Sequence, residues 1–351
     1  MSGTIDGWIR AQIPLLPGTS AELRYERMAC QSAEPLPWVH RPADPQLAAD
    51  WAEQAWVGAF LAALGEAQWV LDVGTGEGWP ALPLARWVDR VTAVDASPRR
   101  ASATADNAAK LGLANVEVAC ASAEQLPFPD RTFAGVAAAT SLEQCERPEA
   151  ALAEVLRVLE PGGLLAATFE DLRPQLKAPV EEEAELYLAG EEGIYRLVHR
   201  SASPPREAEY ELRLRATDAV RRAAGQVTRV PRVPATPEEP GLRPVSPDDP
   251  QLGVPFLTRV HAEVIGGRYF ELTHLTPDRA ASAAVGAGFA DVRTYGPITT
   301  LANPFFAALK RTGGLADLAP HMDRITRALG GLYPFVPLGR TSVFFLVGRR
   351  P

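Results

Sequence analysis

The sequence predicts an α/β fold with a mostly parallel sheet and helices on both faces of that sheet. Over residues 66–170, short apolar runs typical of buried strands alternate with helical stretches, which is the pattern of strand–helix–strand units. A glycine-rich turn follows the first of these strands, and a Pro-Gly-Gly turn precedes the fifth. The chain of 351 residues is long enough for one large domain or two modest ones, with a sizeable core.

Each predicted strand of this region is a short apolar run that ends at a turn or at a helix signal. The five runs are residues 69–73, 91–95, 116–120, 132–138 and 164–169. Ser97 and Pro98 open the helix after the second strand, as an N-cap serine and a proline at the first helical position. A helix near 148–158 ends before Pro161-Gly162-Gly163. These elements predict the centre of the sheet.

The alternation of strands and helices breaks after residue 170. Glu181-Glu182-Glu183-Ala184-Glu185 predicts a polar helix. Prolines recur every three to five residues over 231–255, so this part is predicted to be an extended loop, a mobile connection instead of a second folded core. Residues 260–265 and 268–273 flank Gly266-Gly267, which predicts a two-residue hairpin turn.

The pattern of helices and strands returns at Thr276-Pro277. These two residues start a helix that is predicted to end near Gly288, and a strand follows at 291–295. Residues 302–332 are predicted to be helical. The last predicted strand, 341–347, is almost wholly apolar and therefore buried.

Composition and charge exclude several classes of function. The net charge of −8 argues against nucleic acid as a partner, because phosphate binding normally needs a basic face. No run approaches the ~18 apolar residues of a membrane span, and the N-terminus lacks the features of a signal peptide. Cys30, Cys120 and Cys145 form no CxxC pair, and the five histidines lack metal-ligand spacing. We therefore expect a cytoplasmic protein without a metal site, a membrane span or a nucleic-acid partner.

A glycine-rich loop, Asp72-Val73-Gly74-Thr75-Gly76-Glu77-Gly78, lies between the first predicted strand and a helix. Glycines there allow a tight turn and let a ligand approach the backbone, while the helix N-terminus presents free N–H groups. Asp95 follows Gly74 by 21 residues, at the end of the next strand, where a carboxylate can accept hydrogen bonds from both hydroxyls of a ribose. The loop and Asp95 predict a nucleotide-type cofactor, and a nicotinamide enzyme would show the same two features.

Four further motifs separate these alternatives. Asp72 stands two positions before the first glycine, residues 121–133 have the sequence ASAEQLPFPDRTF, residues 159–165 have LEPGGLL, and residues 343–349 have VFFLVGR. In this order and spacing they resemble the class I S-adenosylmethionine-dependent methyltransferases, particularly the ubiquinone/menaquinone-biosynthesis-like, type 11 subgroup. The resemblance covers roughly 66–170 and 276–296 plus the C-terminus. It implies a Rossmann-like, seven-stranded, mostly parallel sheet, with S-adenosyl-L-methionine as cofactor and S-adenosyl-L-homocysteine as product.

The resemblance also implies which residues hold the cofactor. The methionine end would lie over the loop that contains Gly74, Thr75, Gly76 and Gly78, and Asp72 would help to fix its amino group. Asp95 would hold the ribose, and Ala96 would lie against the adenine.

Two more segments complete the implied cofactor site. Ser122 and Ala123 would border the adenine edge, while Thr140 and Ser141 would line the sulfonium side. The chain departs from the family pattern, which often has aspartate, at Ser122 and at Ala134. The adenine amino contact is therefore expected from the backbone or from Glu124, and the loss at Ala134 is expected to leave the cofactor site intact.

The chain outside the common fold is expected to form the acceptor site. Residues 1–65 are predicted as a helical N-terminal extension, 66–174 and 276–351 as the Rossmann-like domain, and 175–275 as a large insertion after strand five that caps the acceptor. Between Gly193 and Arg232, nine arginines stand against four acidic residues. This excess indicates either a solvated helix face or a pocket for an anionic acceptor, such as a carboxylate or a phosphate.

Three residues are candidates for a general base, which methyl transfer needs only if the acceptor must lose a proton. His274 stands two residues before the helix that starts at Thr276, whose N-terminus is expected near the sulfonium of the cofactor. The positive potential there would keep the imidazole neutral. The competing interpretation is a histidine that caps backbone groups of the predicted hairpin. Glu143, just beyond strand four, and Tyr25 are the reserve candidates.

We predict methyl transfer to an O, N or C nucleophile of a small-molecule acceptor. One rival hypothesis is a nicotinamide-dependent oxidoreductase, which the position of Asp72 and the Pro-Gly-Gly turn disfavour. The other is a non-catalytic cofactor-binding or scaffold protein, which the departures at Ser122 and Ala134 suggest.

Overall fold

The computed structural model describes residues 3–26, 41–227 and 241–351. These residues fall into two compact units. The insertion unit comprises the described residues of 1–29 and 175–274, and the core unit comprises those of 30–174 and 275–351.

We number the strands and α-helices of the described residues in chain order. The strands are β1 (Leu16–Pro17), β2 (Trp69–Val73), β3 (Arg90–Asp95), β4 (Val116–Cys120), β5 (Phe133–Ala139), β6 (Leu159–Glu170), β7 (Val180–Ala189), β8 (Glu192–Ala202), β9 (Pro205–Arg215), β10 (Arg243–Pro244), β11 (Val264–Thr273), β12 (Ala290–Tyr295) and β13 (Val343–Arg349). The helices are α1 (Ile5–Gln12), α2 (Ala48–Leu64), α3 (Ala81–Leu84), α4 (Pro98–Lys110), α5 (Pro148–Val158), α6 (Asp218–Gln226), α7 (Val254–Val260), α8 (Pro277–Ala287), α9 (Thr299–Thr312), α10 (Leu315–Leu318) and α11 (Met322–Gly330). Shorter turns include a π-helix at Ala21–Tyr25 and a 3-10 turn at Leu142–Gln144.

The sheet of the core unit confirms the predicted fold class. Counted over the described residues, it has seven strands in the order β4-β3-β2-β5-β6-β13-β12. The strands β2 to β6 pair in parallel, whereas β13 pairs antiparallel with both β6 and β12. Because the parallel strands run in one direction, their carboxyl ends meet at a single edge of the sheet.

Both faces of this sheet are buried, which explains why its strands are nearly continuous apolar runs. Leu71 points into a core cluster that includes α5 and α8. Its neighbour Val70 points into a second cluster that includes α2 and α9, with α11 packed against it. The helices α9 to α11 lie between β12 and β13 in the chain, where the sequence predicted a helical region.

The helix starts that the sequence predicted are confirmed by their capping hydrogen bonds. The Ser97 side chain accepts a hydrogen bond from the Arg100 N–H at the start of α4, and the Thr276 side chain accepts one from the Arg279 N–H at the start of α8. Gly288 ends α8 with a φ of +109°, a left-handed conformation that favours glycine.

The insertion unit contains a second sheet, and its core overturns the prediction of a mobile connection. Counted over the described residues, this sheet has six strands in the order β1-β11-β9-β8-β7-β10. One face forms an apolar core with α1, α6 and α7, in which Tyr195 and Tyr210 are fully buried. The Tyr195 hydroxyl donates a hydrogen bond to the Leu252 carbonyl at 2.7 Å. Residues 228–240, which include the first four of the eight prolines of the proline-rich run, lie outside the described residues. In the described part, the predicted loop is wrong at β10 and at the start of α7.

Two predicted elements of this segment are also wrong. The run 181–185 belongs to strand β7 instead of a polar helix, because its glutamates find arginine partners on the neighbouring strand. Gly266 and Gly267 lie inside β11 and form no hairpin turn. A Cβ at Gly267 would lie 2.8 Å from Leu15 and 3.1 Å from Ile13, so this glycine permits close packing of the N-terminal segment.

The other face of the insertion sheet carries alternating arginines and glutamates, which we call the arginine–glutamate ladder. Arg196 pairs with Glu185 and Glu209 of the flanking strands. Arg200 pairs in the same way with Glu183 and Glu207. Arg24, from the π-helix, pairs with Glu207 and Glu209.

Candidate functional site

The glycine loop follows β2 at the carboxyl edge of the core sheet. It is tied to β3, because the N–H groups of Gly74 and Thr75 donate to the Val94 carbonyl at 2.8 and 2.9 Å. Gly74 and Gly76 have φ values of +74° and +59°. A Cβ at Gly74 would lie 2.3 Å from the Ser141 side chain, whereas a Cβ at Gly76 would meet nothing within 4 Å. Gly74 therefore allows close packing against the end of β5, and Gly76 faces open space that a cofactor can occupy.

Asp72 is a fully buried carboxyl group at the start of this loop. Its Oδ2 accepts a hydrogen bond from the Ala81 N–H at 3.2 Å. Its Oδ1 makes no hydrogen bond of normal geometry among the described residues, although the Thr75 hydroxyl is near enough to lower the pKa of Asp72. Burial raises the pKa of Asp72 to about 8. A buried carboxyl with one free oxygen fits a cationic donor, and the amino group at the methionine end of S-adenosylmethionine is such a donor.

Asp95 ends β3 and joins the loop to the helix that follows. Its Oδ2 accepts a hydrogen bond from the Gly76 N–H at 2.8 Å, and its Oδ1 accepts one from the Ser97 N–H at 2.9 Å. Each carboxylate oxygen can accept more than one hydrogen bond, so Asp95 retains the capacity to bind the hydroxyls of a ribose. Ala96 follows directly, at the same edge of the sheet.

The segment that follows β4 carries the residues expected at the adenine edge. The Ser122 hydroxyl accepts a hydrogen bond from the Glu124 N–H at 3.2 Å. Both oxygens of Glu124 are engaged by Arg147, whose backbone N–H and Nε each donate at 2.8 Å. This pairing favours Ser122 and the backbone of Ala123, over Glu124, as the groups that meet an adenine.

The end of β5 brings Ser141 against the glycine loop, and Thr140 precedes it in the chain. Thr140 has a φ of +48°, a strained conformation for this residue, and its N–H donates to the Thr168 carbonyl at 2.9 Å. The Ser141 hydroxyl donates to the Val73 carbonyl at 2.5 Å, which fixes the end of β5 against the loop.

Glu143 is fully buried in the 3-10 turn just beyond β5. Its Oε1 accepts a hydrogen bond from the Glu170 N–H at 2.8 Å, and its Oε2 has no partner within the described residues. Burial, with a smaller contribution from the charge of Glu170, raises the pKa of Glu143 to about 8. Such a group is mostly protonated at neutral pH and gains a proton-accepting form as the pH rises.

The other two candidates for a general base belong to the insertion unit. His274 follows β11, is 2% exposed, and donates its backbone N–H to the Pro205 carbonyl at 3.1 Å. It interacts electrostatically with Glu207, to which Arg24 is also paired. Tyr25 is the neighbour of Arg24 in the π-helix. His274 and Tyr25 are thus associated with the arginine–glutamate ladder. The predicted hairpin, which His274 would cap in the competing interpretation, is wrong, because residues 264–273 form the single strand β11.

The arginine excess of the insertion unit is matched by carboxylates of the same unit. Six of the described arginines in the range 193–227 are ion-paired. These are Arg196, Arg200, Arg206, Arg213, Arg215 and Arg221. Strand pairing thus places most of this positive charge beside glutamates and aspartates.

Sequence reasoning missed one group of residues beside the glycine loop. Arg100, Thr104 and Asn107 of α4 direct buried polar groups at the loop, where Glu77 is one of their partners. Their spacing of four and then three residues places them on one face of the helix, and this polar stripe was the available signal.

Among the described residues, no group of three or more histidine, cysteine, aspartate or glutamate side chains could hold a metal ion. No helix in the same ranges combines the length and the apolar character needed to cross a membrane.

The comparisons with known proteins concern mainly the segment that contains the glycine loop. A family model described as a methyltransferase domain matches residues 71–167. Demethylmenaquinone methyltransferase of Chlamydia trachomatis is 35% identical over 143 residues, which cover 38% of this chain and 58% of the relative. The ubiquinone/menaquinone biosynthesis C-methyltransferase UbiE of Pseudomonas putida is 37% identical over 100 residues, which cover 27% of this chain and 39% of the relative.

One solved structure, that of the CcbJ methyltransferase from Streptomyces caelestis, aligns with 91% of this chain and 100% of its own at a TM-score of 0.47 and 16% identity. The matches in sequence are more local. The chain spans 58% and 39% of the lengths of the two curated relatives named above.

Proposed function

We propose that this chain, whose residues 71–167 belong to the methyltransferase-domain family of class I S-adenosylmethionine-dependent enzymes, transfers a methyl group from S-adenosylmethionine to a small-molecule acceptor. The observation that carries the proposal is the free Oδ1 of Asp72, buried at the glycine loop. A nicotinamide cofactor offers no aliphatic ammonium group to this carboxyl, whereas the methionine end of S-adenosylmethionine does.

Different residues of the proposed site bind different parts of S-adenosylmethionine. Asp72 binds the amino group, the loop from Gly74 to Gly78 supports the methionine end, and Asp95 binds the ribose. Ala96, Ser122 and Ala123 border the adenine, while Thr140 and Ser141 line the sulfonium side. When bound, S-adenosylmethionine supplies an activated methyl group on a sulfonium, so the protein has chiefly to align the acceptor and exclude water.

Glu143 is the first candidate for a general base in this proposal. It follows β5 at the edge where the loop, Thr140 and Ser141 meet, and its free Oε2 can take a proton from an acceptor O–H or N–H group. Because its pKa is about 8, the fraction able to accept a proton grows as the pH rises towards that value. His274 and Tyr25 remain candidates from the insertion unit.

The insertion unit is proposed to select the acceptor. The matched segment, 71–167, contains the glycine loop, Asp95 and Glu143 but none of the insertion. The match therefore supports the cofactor more strongly than the acceptor. Two of the relatives are named for quinone methylation, so quinols are the first acceptor class to assay. Anionic acceptors come second, because most arginines of the insertion unit already have carboxylate partners. A cytoplasmic location remains part of the proposal.

Two calorimetric titrations test the proposal against its rivals. We expect S-adenosylhomocysteine to bind the purified protein and NAD to bind at least tenfold more weakly. Tighter binding of NAD would favour the oxidoreductase and overturn the proposal. A protein that binds S-adenosylhomocysteine but transfers no labelled methyl group to quinols, amines, carboxylates or phosphates would favour the non-catalytic alternative.

A further inference from the structure

The helix α4 directs a stripe of three polar side chains at the glycine loop. Arg100, Thr104 and Asn107 are 5%, 0% and 4% exposed, although the remainder of the buried side of α4 is alanine. Buried polar groups are costly unless they are hydrogen-bonded, so their partners identify what the stripe does.

All three side chains bind the segment Gly76–Glu77. The Thr104 hydroxyl donates to the Gly76 carbonyl at 2.9 Å, and the Asn107 amide donates to the Glu77 carbonyl at 2.9 Å. The Arg100 guanidinium donates to the Glu77 carboxylate at 2.8 Å, and both side chains of this ion pair are nearly buried.

Gly76 is therefore held from both sides. The Asp95 carboxylate accepts a hydrogen bond from the Gly76 N–H, and the Thr104 hydroxyl donates one to the Gly76 carbonyl oxygen. A Cβ at Gly76 would meet nothing within 4 Å, so this side of the residue is open to a ligand. The same contacts connect the loop to Asp95, the residue that binds the ribose in the proposed function.

We propose that Glu77, Arg100, Thr104 and Asn107 form a loop clamp that positions the glycine loop for cofactor binding. The inference rests on the proposed function, and it assigns the side chains of these four residues a positioning role without contact to the cofactor. Removing a clamp group should let Gly76 and Glu77 sample other conformations, so that the cofactor must fix them when it binds.

The ion pair of the clamp is poorly explained by stability alone. Two nitrogens of Arg100, Nε and Nη2, are buried and have no hydrogen-bond partner in the described part of the chain. Replacing a buried ion pair with apolar side chains of similar volume is often neutral or stabilising, whereas removing one partner leaves a buried charge. A double replacement, Glu77→Met with Arg100→Met, can therefore separate the positioning role from a stabilising one.

The test combines the affinity for S-adenosylhomocysteine with the melting temperature of each ligand-free variant. Asn107→Leu, Thr104→Val and the double methionine variant should each raise the Kd by about fivefold or more, since each loses a hydrogen bond that holds the loop. The double variant should keep or raise the melting temperature. Asn115→Leu is the matched control, because the Asn115 amide also donates to backbone carbonyls, those of Ala85 and Val88, away from the loop.

The control should lower the melting temperature without changing the Kd. Wild-type affinity in the folded clamp variants would overturn the inference. So would an Asn115→Leu variant that weakens binding as much as Asn107→Leu, because the effect would then follow from destabilisation in general. A wild-type protein that does not bind S-adenosylhomocysteine would instead refute the proposed function on which the clamp rests.

Discussion

Replacing Asp72 with asparagine tests whether cofactor binding is coupled to the release of a proton. Asp72 is fully buried and its pKa is raised to about 8, so most molecules of the ligand-free protein hold it protonated at neutral pH. The amino group of S-adenosylhomocysteine carries a positive charge and should bind the ionised carboxylate. The cofactor must therefore select, or create, the minor ionised form.

The magnitude follows from the pKa of about 8. At pH 7 about one molecule in eleven has Asp72 ionised, so the apparent Kd should be about elevenfold above its value at high pH. At pH 6 the factor should be about 100, a tenfold change for each pH unit. Calorimetry at pH 7 in two buffers of different ionisation enthalpy should detect about 0.9 protons released per ligand bound.

The asparagine variant should lose this pH dependence. Its amide forgoes a charge-assisted hydrogen bond worth about 1.5–3 kcal/mol but avoids the free energy of ionising a buried carboxyl. The lost hydrogen bond and the avoided cost of ionisation are equal in free energy at a pH between about 5.8 and 6.9. The curves of Kd against pH for wild type and variant should cross there. A wild-type Kd that stays constant from pH 5.5 to 7.5, with the variant weaker by one factor throughout, would refute the reasoning.

Three further predictions concern the remaining candidate residues. Between pH 5 and pH 7, the free energy of unfolding of Glu143→Gln should rise relative to that of wild type by about 2.5 kcal/mol. The pKa of Glu143 is raised to about 8, so wild type loses stability as the pH rises above the pKa that this carboxyl has in the unfolded chain. A difference in the free energy of urea unfolding that stays constant with pH would contradict the raised pKa of Glu143. Arg196→Ala should cost about 3–5 kcal/mol, since it removes the arginine partner of the buried Glu185 carboxylate and one of the two arginine partners of Glu209. Arg213→Ala, at an exposed pair with Glu192, should leave the urea midpoint nearly unchanged. Once an acceptor is known, Glu143→Gln should lower kcat at least tenfold while His274→Ala and Tyr25→Phe retain most of it; the opposite ranking would move the general base to the insertion unit.

The sequence predicted the core unit well because its signals are local. The strands β2 and β3 are buried on both faces, so their apolar runs are visible without knowledge of their neighbours. The starts of α4 and α8 are set by Ser97-Pro98 and Thr276-Pro277, whose capping chemistry acts within one turn. The glycine loop, the ends of β2 and β3 and the start of α4 then place Asp72 and Asp95 at the carboxyl edge of the core sheet.

The insertion unit was mispredicted because its strands depend on partners far along the chain. The four glutamates and one alanine of 181–185 favour a helix in isolation, but Glu185 is paired with Arg196 and Glu183 with Arg200 on the next strand. The pair Gly266-Gly267 is typical of a turn, but in the structure Leu15 and Ile13 pack so closely on Gly267 that a side chain there would collide with them. The residues adjacent in sequence indicate neither the cross-strand ion pairs nor the packing on Gly267.

The finer features of the site also depend on packing. The sequence predicts that Glu143 lies just beyond the strand that the structure numbers β5. Its burial and its Oε2 without a partner among the described residues depend on how β5 and β6 end side by side. The loop clamp shows in the sequence only as a polar stripe on α4, which is equally typical of a solvated helix face.

The most direct measurement of the central claim is the affinity of S-adenosylhomocysteine for wild type, Asp95→Ala and Asp106→Ala, each at pH 7.5. Asp106 is an exposed carboxylate on α4, so its removal changes the net charge equally without touching the loop. We expect tight binding to wild type and Asp106→Ala, and an affinity at least tenfold weaker for Asp95→Ala, because hydrogen bonds from ribose hydroxyls to a carboxylate are worth roughly 1.5–3 kcal/mol. Equal affinity of all three proteins would remove Asp95 from the site, and no binding to wild type would contradict the assignment of S-adenosylmethionine as the cofactor.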